Sequence, residues 1–408
     1  MEMLFADPKL RARGDETRLM EKRHKRPRQV QTLFGAIEIT HNYYYHTPSG
    51  SGRCPLDDCL ALVEGFSPAL ARLVCHAAAK SGSYDEAARD LSLYAGVSVE
   101  SRAFERLVKQ VAPTLQQAVE ILQPSSEELK PKPRLYASID GTGVPMRKEE
   151  LAGRPGRQPD GSSKTREAKP GCIFPQYVTD ENGHPIRDPC ATSYVGTFAG
   201  CEAAGALLHQ EALRRGLMSA RQVVFIGDGA AWVWQCARKY FAGAIEILDF
   251  YHASEHAGRL AEAIFGQKSE QACAHRKRWI EQMKETSPEP ILHNARDLLE
   301  ELQIPAERIE AAEGEIACFE NHAARTRYGE FRTQGLFIGS GVIEAGCKTI
   351  VGRRLKQSGM FWSEDGAEKL LSLRCLVLGP HFDTAWALRR QIIAQQQRVA
   401  RRWLPSLN

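Results

Sequence analysis

Two stretches of this chain combine a strand-like apolar run with an aspartate and a glycine. In the first, Leu135, Ala137 and Ile139 alternate with Tyr and Ser, which predicts a strand with one apolar face. Asp140 and Gly141 follow directly. A carboxylate at the end of a buried strand needs a cation or several donors to offset its burial. A metal-binding carboxylate and a plain Asp-Gly turn both fit this stretch.

The second stretch repeats the pattern and strengthens the metal-binding interpretation. Four consecutive apolar residues, 223–226, precede Asp228 and Gly229. A run without polar alternation is typical of a strand buried on both faces in a parallel sheet. Two strands that each end in an aspartate beside glycine predict a shared site at the strand ends.

A third segment adds Asp249 and His252 after another predicted strand. His252, Glu255 and His256 also form an H-x-x-E-H pattern, which matches an inverted zinc-peptidase motif. No clear third zinc ligand follows downstream. Three interpretations stay open: a contribution to the aspartate site, a zinc peptidase, or a helix cap with surface histidines.

A further acidic residue lies in the C-terminal third of the chain. Ser340 is expected to cap a helix that begins near Gly341, which puts Glu344 in the first helical turn. Basic and aromatic residues follow, and we expect them to contact a phosphate backbone: Lys348, Arg353, Arg354, Lys356 and, at the tip of a loop, Trp362.

Asp140, Asp228 and Glu344 suit a pair of Mg²⁺ ions, for which Mn²⁺ can substitute. Mg²⁺ prefers oxygen ligands and keeps several waters, so few carboxylates are needed. Two such ions about 4 Å apart stabilise the attacking and leaving oxygens in phosphodiester displacement. In this arrangement Asp140 bridges both ions.

Composition limits the class of protein. The chain has 408 residues, which indicates two or three domains, and its hydrophobic fraction is 43%. It has no apolar run of the about 20 residues that a membrane span needs, and its first residues lack a charged-then-apolar layout, so neither a membrane span nor a secretion signal is expected. The 11 cysteines are scattered, as in a protein of the reducing cytosol, and the net charge is +4. A cytoplasmic protein is expected.

Composition and periodicity also predict the domain order of an α/β protein. The predicted segments are a basic flexible arm at 1–32, a hairpin and loop module at 33–66, a helical DNA-binding domain at 67–123, a catalytic domain at 134–256 and 331–380, a helical insertion at 257–330 and a basic helical tail at 381–408. A mobile basic loop is expected at 148–169. Trp279 and Phe319 are the expected core residues of the insertion.

The helical domain carries a candidate helix-turn-helix. Ser83 and Glu86 form a capping box that opens a helix, and Gly96 marks a short turn before the next helix. A plain helical hairpin fits the pattern as well. Three basic residues on the exposed face favour DNA: Arg102, Arg106 and Lys109.

A zinc knuckle near the front of the chain is only weakly indicated. His46, Cys54 and Cys59 lie close together in the sequence, but the usual C-x-x-C pairs are missing. We therefore expect no metal there.

Four motifs together resemble the DDE transposases. They are S-I-D-G-T-G around Asp140, I-G-D-G-A around Asp228, D-F-Y-H from Asp249 to His252, and G-S-G-V-I-E ending at Glu344. They occur in the order of that family.

The resemblance extends to the ISKra-type bacterial insertion-sequence transposases, which are related to Mutator-like and hAT-like enzymes. It rests further on G-R-R-L-K-Q-S-G-M from Gly352, on Trp362, and on P-L-D ending at Asp57. It covers most of residues 34–380. One departure is that family members carry a C-x-x-C just before P-L-D, which this chain lacks.

The resemblance implies an RNase H-like mixed sheet with a helical insertion, behind an N-terminal helix-turn-helix-like region. It implies Asp140, Asp228 and Glu344 as metal ligands, with Asp249 and His252 as an accessory pair. The expected partners are the terminal inverted repeats of a transposon, target DNA, and further copies of the chain in a dimer or higher oligomer.

The expected function is metal-dependent cleavage at insertion-sequence ends followed by strand transfer into target DNA. Two alternatives stay open besides the zinc peptidase. One is an RNase H-like nuclease that cuts branched DNA without joining it. The other is a catalytically inactive DNA-binding regulator.

Overall fold

A computed structural model of the chain describes residues 21–46, 51–151, 165–339, 341 and 346–402. The chain divides into two compact units, the first formed by residues 1–122 and 365–408 and the second by residues 123–364. Residues 365–380, which the sequence analysis assigned to the catalytic domain, belong to the first unit. Glu344 lies outside the described residues.

The first unit begins with a long hairpin. Strands β1 (Glu21–Thr32), β2 (Gly35–His46) and β3 (Ser51–Arg53) pair antiparallel in that order, so β1 is an edge strand. The turn lies at Gly35, as predicted, because its φ of 107° suits glycine. Strand β1 reaches back into the predicted flexible arm, and Pro27 sits in it opposite Thr40. Buried Val30 and Ile39 anchor the hairpin.

Helices follow the hairpin: α1 (Pro55–Cys59), α2 (Pro68–Lys80), α3 (Tyr84–Ala95) and α4 (Ser101–Glu120). The N-cap half of the predicted capping box is confirmed, because Oγ of Ser83 accepts the N–H of Glu86 at 3.0 Å, whereas the Glu86 carboxylate accepts the N–H of Gly82, one residue before Ser83, at 2.7 Å. Gly96 ends α3 in the left-handed conformation, with φ of 65°. Apolar residues of α4 at helical spacing are fully buried and form the core: Phe104, Leu107, Val108, Val111 and Leu115.

The second unit contains a mixed six-stranded sheet. Its strands are β4 (Lys132–Ile139), β5 (Thr142–Pro145), β6 (Thr165–Gln176), β7 (Ser193–Thr197), β8 (Ala220–Gly227) and β9 (Ile245–Leu248). The order is β5-β6-β4-β8-β9, and β7 also pairs with β6. Strand β4 runs antiparallel to β6 and parallel to β8, which is parallel to β9. The mixed α/β class is thus confirmed.

Strand β4 is buried on both faces, so the prediction of a single apolar face was wrong. Tyr136 and Ser138, the residues expected on the polar face, are 0% and 2% exposed. Their hydroxyl groups remain hydrogen-bonded: Tyr136 donates to Oε1 of Gln176 at 2.6 Å, and Ser138 to the carbonyl of Ile226 at 2.7 Å. Burial of these polar groups is tolerable because each has a partner.

Helices of the second unit follow its strands or form the predicted insertion: α5 (Lys148–Leu151), α6 (Cys201–Arg214), α7 (Ala231–Tyr240), α8 (Phe250–Phe265), α9 (Glu270–Glu285), α10 (Glu289–Glu301), α11 (Ala306–Asn321) and α12 (Tyr328–Thr333). The predicted core residues Trp279 and Phe319 are buried. The predicted boundary at residue 257 falls inside α8.

Both described ends of the predicted basic loop at 148–169 belong to regular secondary structure. Residues 152–164 lie outside the described part. Its last residues belong to β6, where Arg166 pairs with Glu364 and the buried Lys169 pairs with Glu167 at 2.8 Å. These two cations therefore lie on a strand of the sheet, where each binds a carboxylate, and not in a loop.

A π-helical turn (Cys347–Gly352) and the short helix α13 (Arg353–Leu355) precede α14 (Glu364–Leu378) and α15 (Phe382–Arg402). Within the first unit, Arg374 of α14 donates to the carbonyl of Ala79, and Nε of Arg389 in α15 donates to Oγ1 of Thr114 at 3.1 Å. The predicted C-terminal tail is therefore a packed helix of that unit. No described helix is both long and apolar enough to cross a bilayer.

We predict that Tyr136→Phe destabilises the protein by about 1–3 kcal/mol. Its hydroxyl group donates to Gln176 and accepts the N–H of Phe337 at 3.2 Å, so its removal leaves buried partners without a bond. Denaturant unfolding measures the change. The control, Tyr177→Phe, removes the hydroxyl of a residue that is 52% exposed and should change little. Equal stability of the two variants would contradict this account.

Candidate functional site

The pairing of β4 with β8 brings the two strand-end aspartates together. The strands are parallel neighbours in which Ser138 lies opposite Ile226, and Asp140 and Asp228 each follow two residues later. Both side chains therefore emerge at the same edge of the sheet and line one cleft. The sequence prediction of a shared site at these strand ends agrees with this arrangement.

Backbone donors hold each aspartate in place. Oδ1 of Asp140 accepts the N–H of Gly141 at 2.6 Å, and Oδ1 of Asp228 accepts the N–H of Ala230 at 3.1 Å. Cys347, from the π-helical turn, donates its thiol to Oδ2 of Asp140 at 3.4 Å. The carboxylates are thus oriented toward the cleft before any ligand binds.

The cleft makes an ionised Asp140 unfavourable. Burial raises the pKa of this carboxyl, and the negative charge of Asp228 raises it further, against the hydrogen bonds from Gly141 and Cys347. A divalent cation reverses both effects, because it is attracted by two carboxylates that repel each other. Paired, half-buried carboxylate oxygens are also the donors that Mg²⁺ prefers, so these residues fit such an ion.

Asp249 and His252 join the same cleft. Asp249 follows β9 and caps α8, since its carboxylate accepts the N–H groups of Tyr251 and His252, both at 3.3 Å. The cleft has a volume of about 650 Å³, and its lining includes His252, Arg276 and four carboxylates: Asp140, Asp228, Asp249 and Glu255. Glu255 was singled out only as part of the H-x-x-E-H pattern, and Arg276 was missed because an arginine on a helix carries no local signal of a site.

The described residues on either side of Glu344 reach this cleft. A Cβ atom built on Gly339 would lie 3.7 Å from Oδ1 of Asp249. Cys347, three residues after Glu344, contacts Asp140 as stated above. The assignment of Glu344 as third carboxylate stays a prediction.

Of the four basic residues near Glu344 that were predicted to bind DNA, three are exposed and one is not. Lys348, Arg353 and Lys356 are exposed, and Lys356 donates to Thr142 at the edge of the sheet. Arg354 is 1% exposed, so its predicted place on the basic face was wrong.

Arg354 is buried because Trp362 covers it. The guanidinium carbon lies 5.1 Å from the indole ring centroid. Trp362 is not a free loop tip either: its N–H donates to the carbonyl of Pro145 at 3.1 Å, and its indole N–H donates to Leu355 at 3.1 Å. The exposed aromatic residue of that loop is Phe361.

In the first unit, the three basic residues of α4 have different surroundings. Arg102 and Arg106 are exposed, as predicted, and Arg106 is 4.0 Å from Glu64. Lys109 forms an ion pair of 2.7 Å with Glu105. The helix-turn-helix assignment stays a prediction.

Near the front of the chain, the structure brings together possible metal ligands that differ from the set considered in the sequence analysis. His41, Cys54 and Asp57 have donor atoms within 4.8 Å of one another, the one such group among the described residues. Nδ1 of His41 lies 2.9 Å from Asp57, which Arg28 also binds. His41 and Asp57 were missed because the fold, not the spacing, brings them together. The side chain of His46 lies outside the described part, and Cys59 is exposed.

Comparison with known proteins gives a partial match. Residues 7–154 match the model of an uncharacterised protein family, UPF0236. The matched segment includes the hairpin, helices α1–α4 and strands β4 and β5 with Asp140, but not Asp228. No curated protein matches the chain.

We predict that Asp140→Asn raises the unfolding temperature by roughly 2–4 °C at pH 7 in chelator. The folded state raises the pKa of Asp140, so ionising this carboxyl costs stability as pH rises from the unfolded value through the folded value. The gain should shrink as pH falls toward that raised pKa. Differential scanning calorimetry measures it, with Asp297→Asn on α10 as an exposed control. A loss of stability at pH 7 would contradict the prediction.

Proposed function

We propose that this chain is a DDE transposase with an RNase H-like catalytic domain. The observation that carries the proposal is the parallel pairing of β4 and β8, which puts Asp140 and Asp228 into one cleft. The strand order is also compatible: β7, β6 and β4 are antiparallel neighbours, and β8 and β9 run parallel to β4. The proposed partners are transposon ends, target DNA and further copies of the chain, in the bacterial cytoplasm at the nucleoid.

The proposed metal ligands are Asp140, Asp228 and Glu344. When bound, two Mg²⁺ ions (or Mn²⁺) supply positive charge to the attacking and leaving oxygens of a phosphodiester. The protein holds Asp140 with Gly141 and Cys347, and Asp228 with Ala230, so that the carboxylates need little rearrangement to bind cations. That preorganisation favours the charged transition state.

DNA would be held by the cations around the cleft. Lys348, Arg353 and Lys356 are exposed on the segment that follows Glu344, and Arg276 lines the cleft itself. Phosphate contacts of this kind supply affinity that falls with salt and does not depend on sequence. Water would first be directed at a phosphodiester at the element end, and the freed 3′-hydroxyl would then attack target DNA in line.

The central test uses a labelled duplex taken from the DNA that flanks the gene. With Mg²⁺, the wild type is expected to nick it and to join the 3′ end to a target plasmid. Asp140→Asn and Asp228→Asn should bind the duplex but lose cleavage and joining at least about a hundredfold, because two ions can no longer be held. Asp297→Asn is the matched control.

The outcome separates the proposal from its alternatives. Cleavage without a joined product favours a structure-specific nuclease. Binding without cleavage favours a DNA-binding regulator. Strand joining that survives in Asp140→Asn refutes the assignment of the site.

A second measurement tests the cation site without DNA. Isothermal titration with Mn²⁺ should give binding heat for the wild type and much weaker heat for Asp228→Asn and Glu344→Ala, because each loses a carboxylate ligand. Asp297→Asn should match the wild type. No heat with the wild type would count against a catalytic site.

A further inference from the structure

A chain of contacts leads from the helical insertion to the cleft. Nδ1 of His256, on α8, lies 2.5 Å from Oε2 of Glu315, on α11. Nε2 of the same ring lies 3.2 Å from Nε2 of His252. His252 lines the cleft with Asp140 and Asp228. Glu315 is therefore two side chains away from the candidate site.

The facing ring nitrogens define where the protons lie. Two Nε2 atoms 3.2 Å apart need one proton between them, because two lone pairs or two N–H groups would repel. Hydrogen bonds with Cys318 and Glu315 raise the pKa of His256 to about 9, so this ring is cationic at neutral pH. Its Nε2–H then faces both Nε2 of His252 at 3.2 Å and Sγ of Cys318 at 3.5 Å, which share it. The proton of a neutral His252 is consequently on Nδ1.

The neighbours of His256 act on its charge in both directions: Glu315 favours the cation, whereas the positive charge of Arg259, whose Nη2 lies 2.7 Å from Nδ1, opposes it. Burial by itself would raise the pKa of Glu315, but the hydrogen bonds from His256 and Arg259 outweigh it and lower that pKa. Nε of Arg259 donates to Oε1 of Glu315 at 2.8 Å. Burial and the charge of His256 lower the pKa of His252. The titratable groups around His256 are Glu315 and Cys318 from α11, Arg259 and His252 from α8, and His322.

We propose that Glu315 and His256 are positioning residues that hold His252 as a neutral imidazole with its proton on Nδ1. In the cleft, a neutral ring of this tautomer offers an N–H donor to a phosphate oxygen and leaves the aspartates free to bind cations. The identity of that ligand rests on the proposed function. The tautomer of His252 is a property of the protein alone, so it can be measured without DNA.

The direct test is ¹⁵N NMR of histidine-labelled protein, in which nitrogen shifts distinguish the two neutral tautomers. Loss of a signal in His252→Asn identifies His252. The wild type at pH 7 should show the Nδ1–H form. His256→Leu removes the donor to Nε2 and should give a mixture of tautomers. His256→Gln, whose amide N–H can donate from a similar place, should restore the Nδ1–H form.

The control variant is His293→Leu, because His293 lies on α10 with a side chain that is 84% exposed. It should leave the His252 spectrum unchanged. An Nε2-protonated His252 in the wild type, or an unchanged tautomer in His256→Leu, overturns the proposal. Metal analysis that finds zinc bound by both rings also overturns it, because both Nε2 atoms would then be ligands.

Cleavage of the labelled duplex tests the consequence. His256→Leu should cleave about a hundredfold more slowly, the loss expected when a group in the site is misplaced. His256→Gln should recover most of the rate, whereas a merely structural role would not distinguish these variants. Equal rates for the wild type and both variants overturn the role in the site.

The two arms separate this inference from the proposed function. If the wild type does not cleave DNA but the tautomer depends on His256, the transposase assignment fails and the positioning pair stands. If the wild type cleaves and joins DNA but the tautomer of His252 is the same in His256→Leu, the positioning role of Glu315 and His256 is refuted and the transposase assignment stands.

Discussion

The constraint on which this structure depends is the repulsion between two carboxylates at the ends of adjacent parallel strands. Because β4 and β8 are parallel neighbours, the side chains of Asp140 and Asp228 leave the sheet at the same edge. Each takes a backbone N–H within its own turn, which lowers the cost of holding it but does not cancel the charge. The surrounding packing therefore holds the two carboxylates close together, and this arrangement becomes favourable when a cation binds between them.

Sequence patterns predicted the parts of the site that depend on strand period. Asp140 and Asp228 each end an apolar run, and parallel strands that are neighbours deliver such ends to one edge. The patterns failed where residues far away in the sequence determine whether a side chain is buried. Tyr136 and Ser138 alternate as solvent-facing residues would, yet Gln176 and Ile226 supply partners that let them be buried. The sequence pattern predicts Arg354 on the surface, but in the structure its guanidinium group packs against the ring of Trp362.

The helical insertion is more than a spacer between parts of the sheet. Through α11 it places Glu315 against His256, and through α9 it places Arg276 in the cleft. None of these contacts follows from the spacing of the residues, because each joins elements that are far apart in the chain. What periodicity could indicate was the apolar anchoring of the insertion by Trp279 and Phe319, which fixes the helices that carry the polar groups.

The edge position of β1 has a consequence for how the hairpin meets other molecules. Within the described residues, the outer edge of β1 is paired at Gln31, which bonds the backbones of Gly65 and Ser67, and an edge that lacks such partners invites another strand to add by backbone hydrogen bonds. Pro27 interrupts that edge because it has no N–H to donate, and exposed Lys25 and Arg26 add like charge beside it. The hairpin is therefore poorly suited to add a second copy of itself along this edge, because one amide is missing and the charges on either copy repel each other.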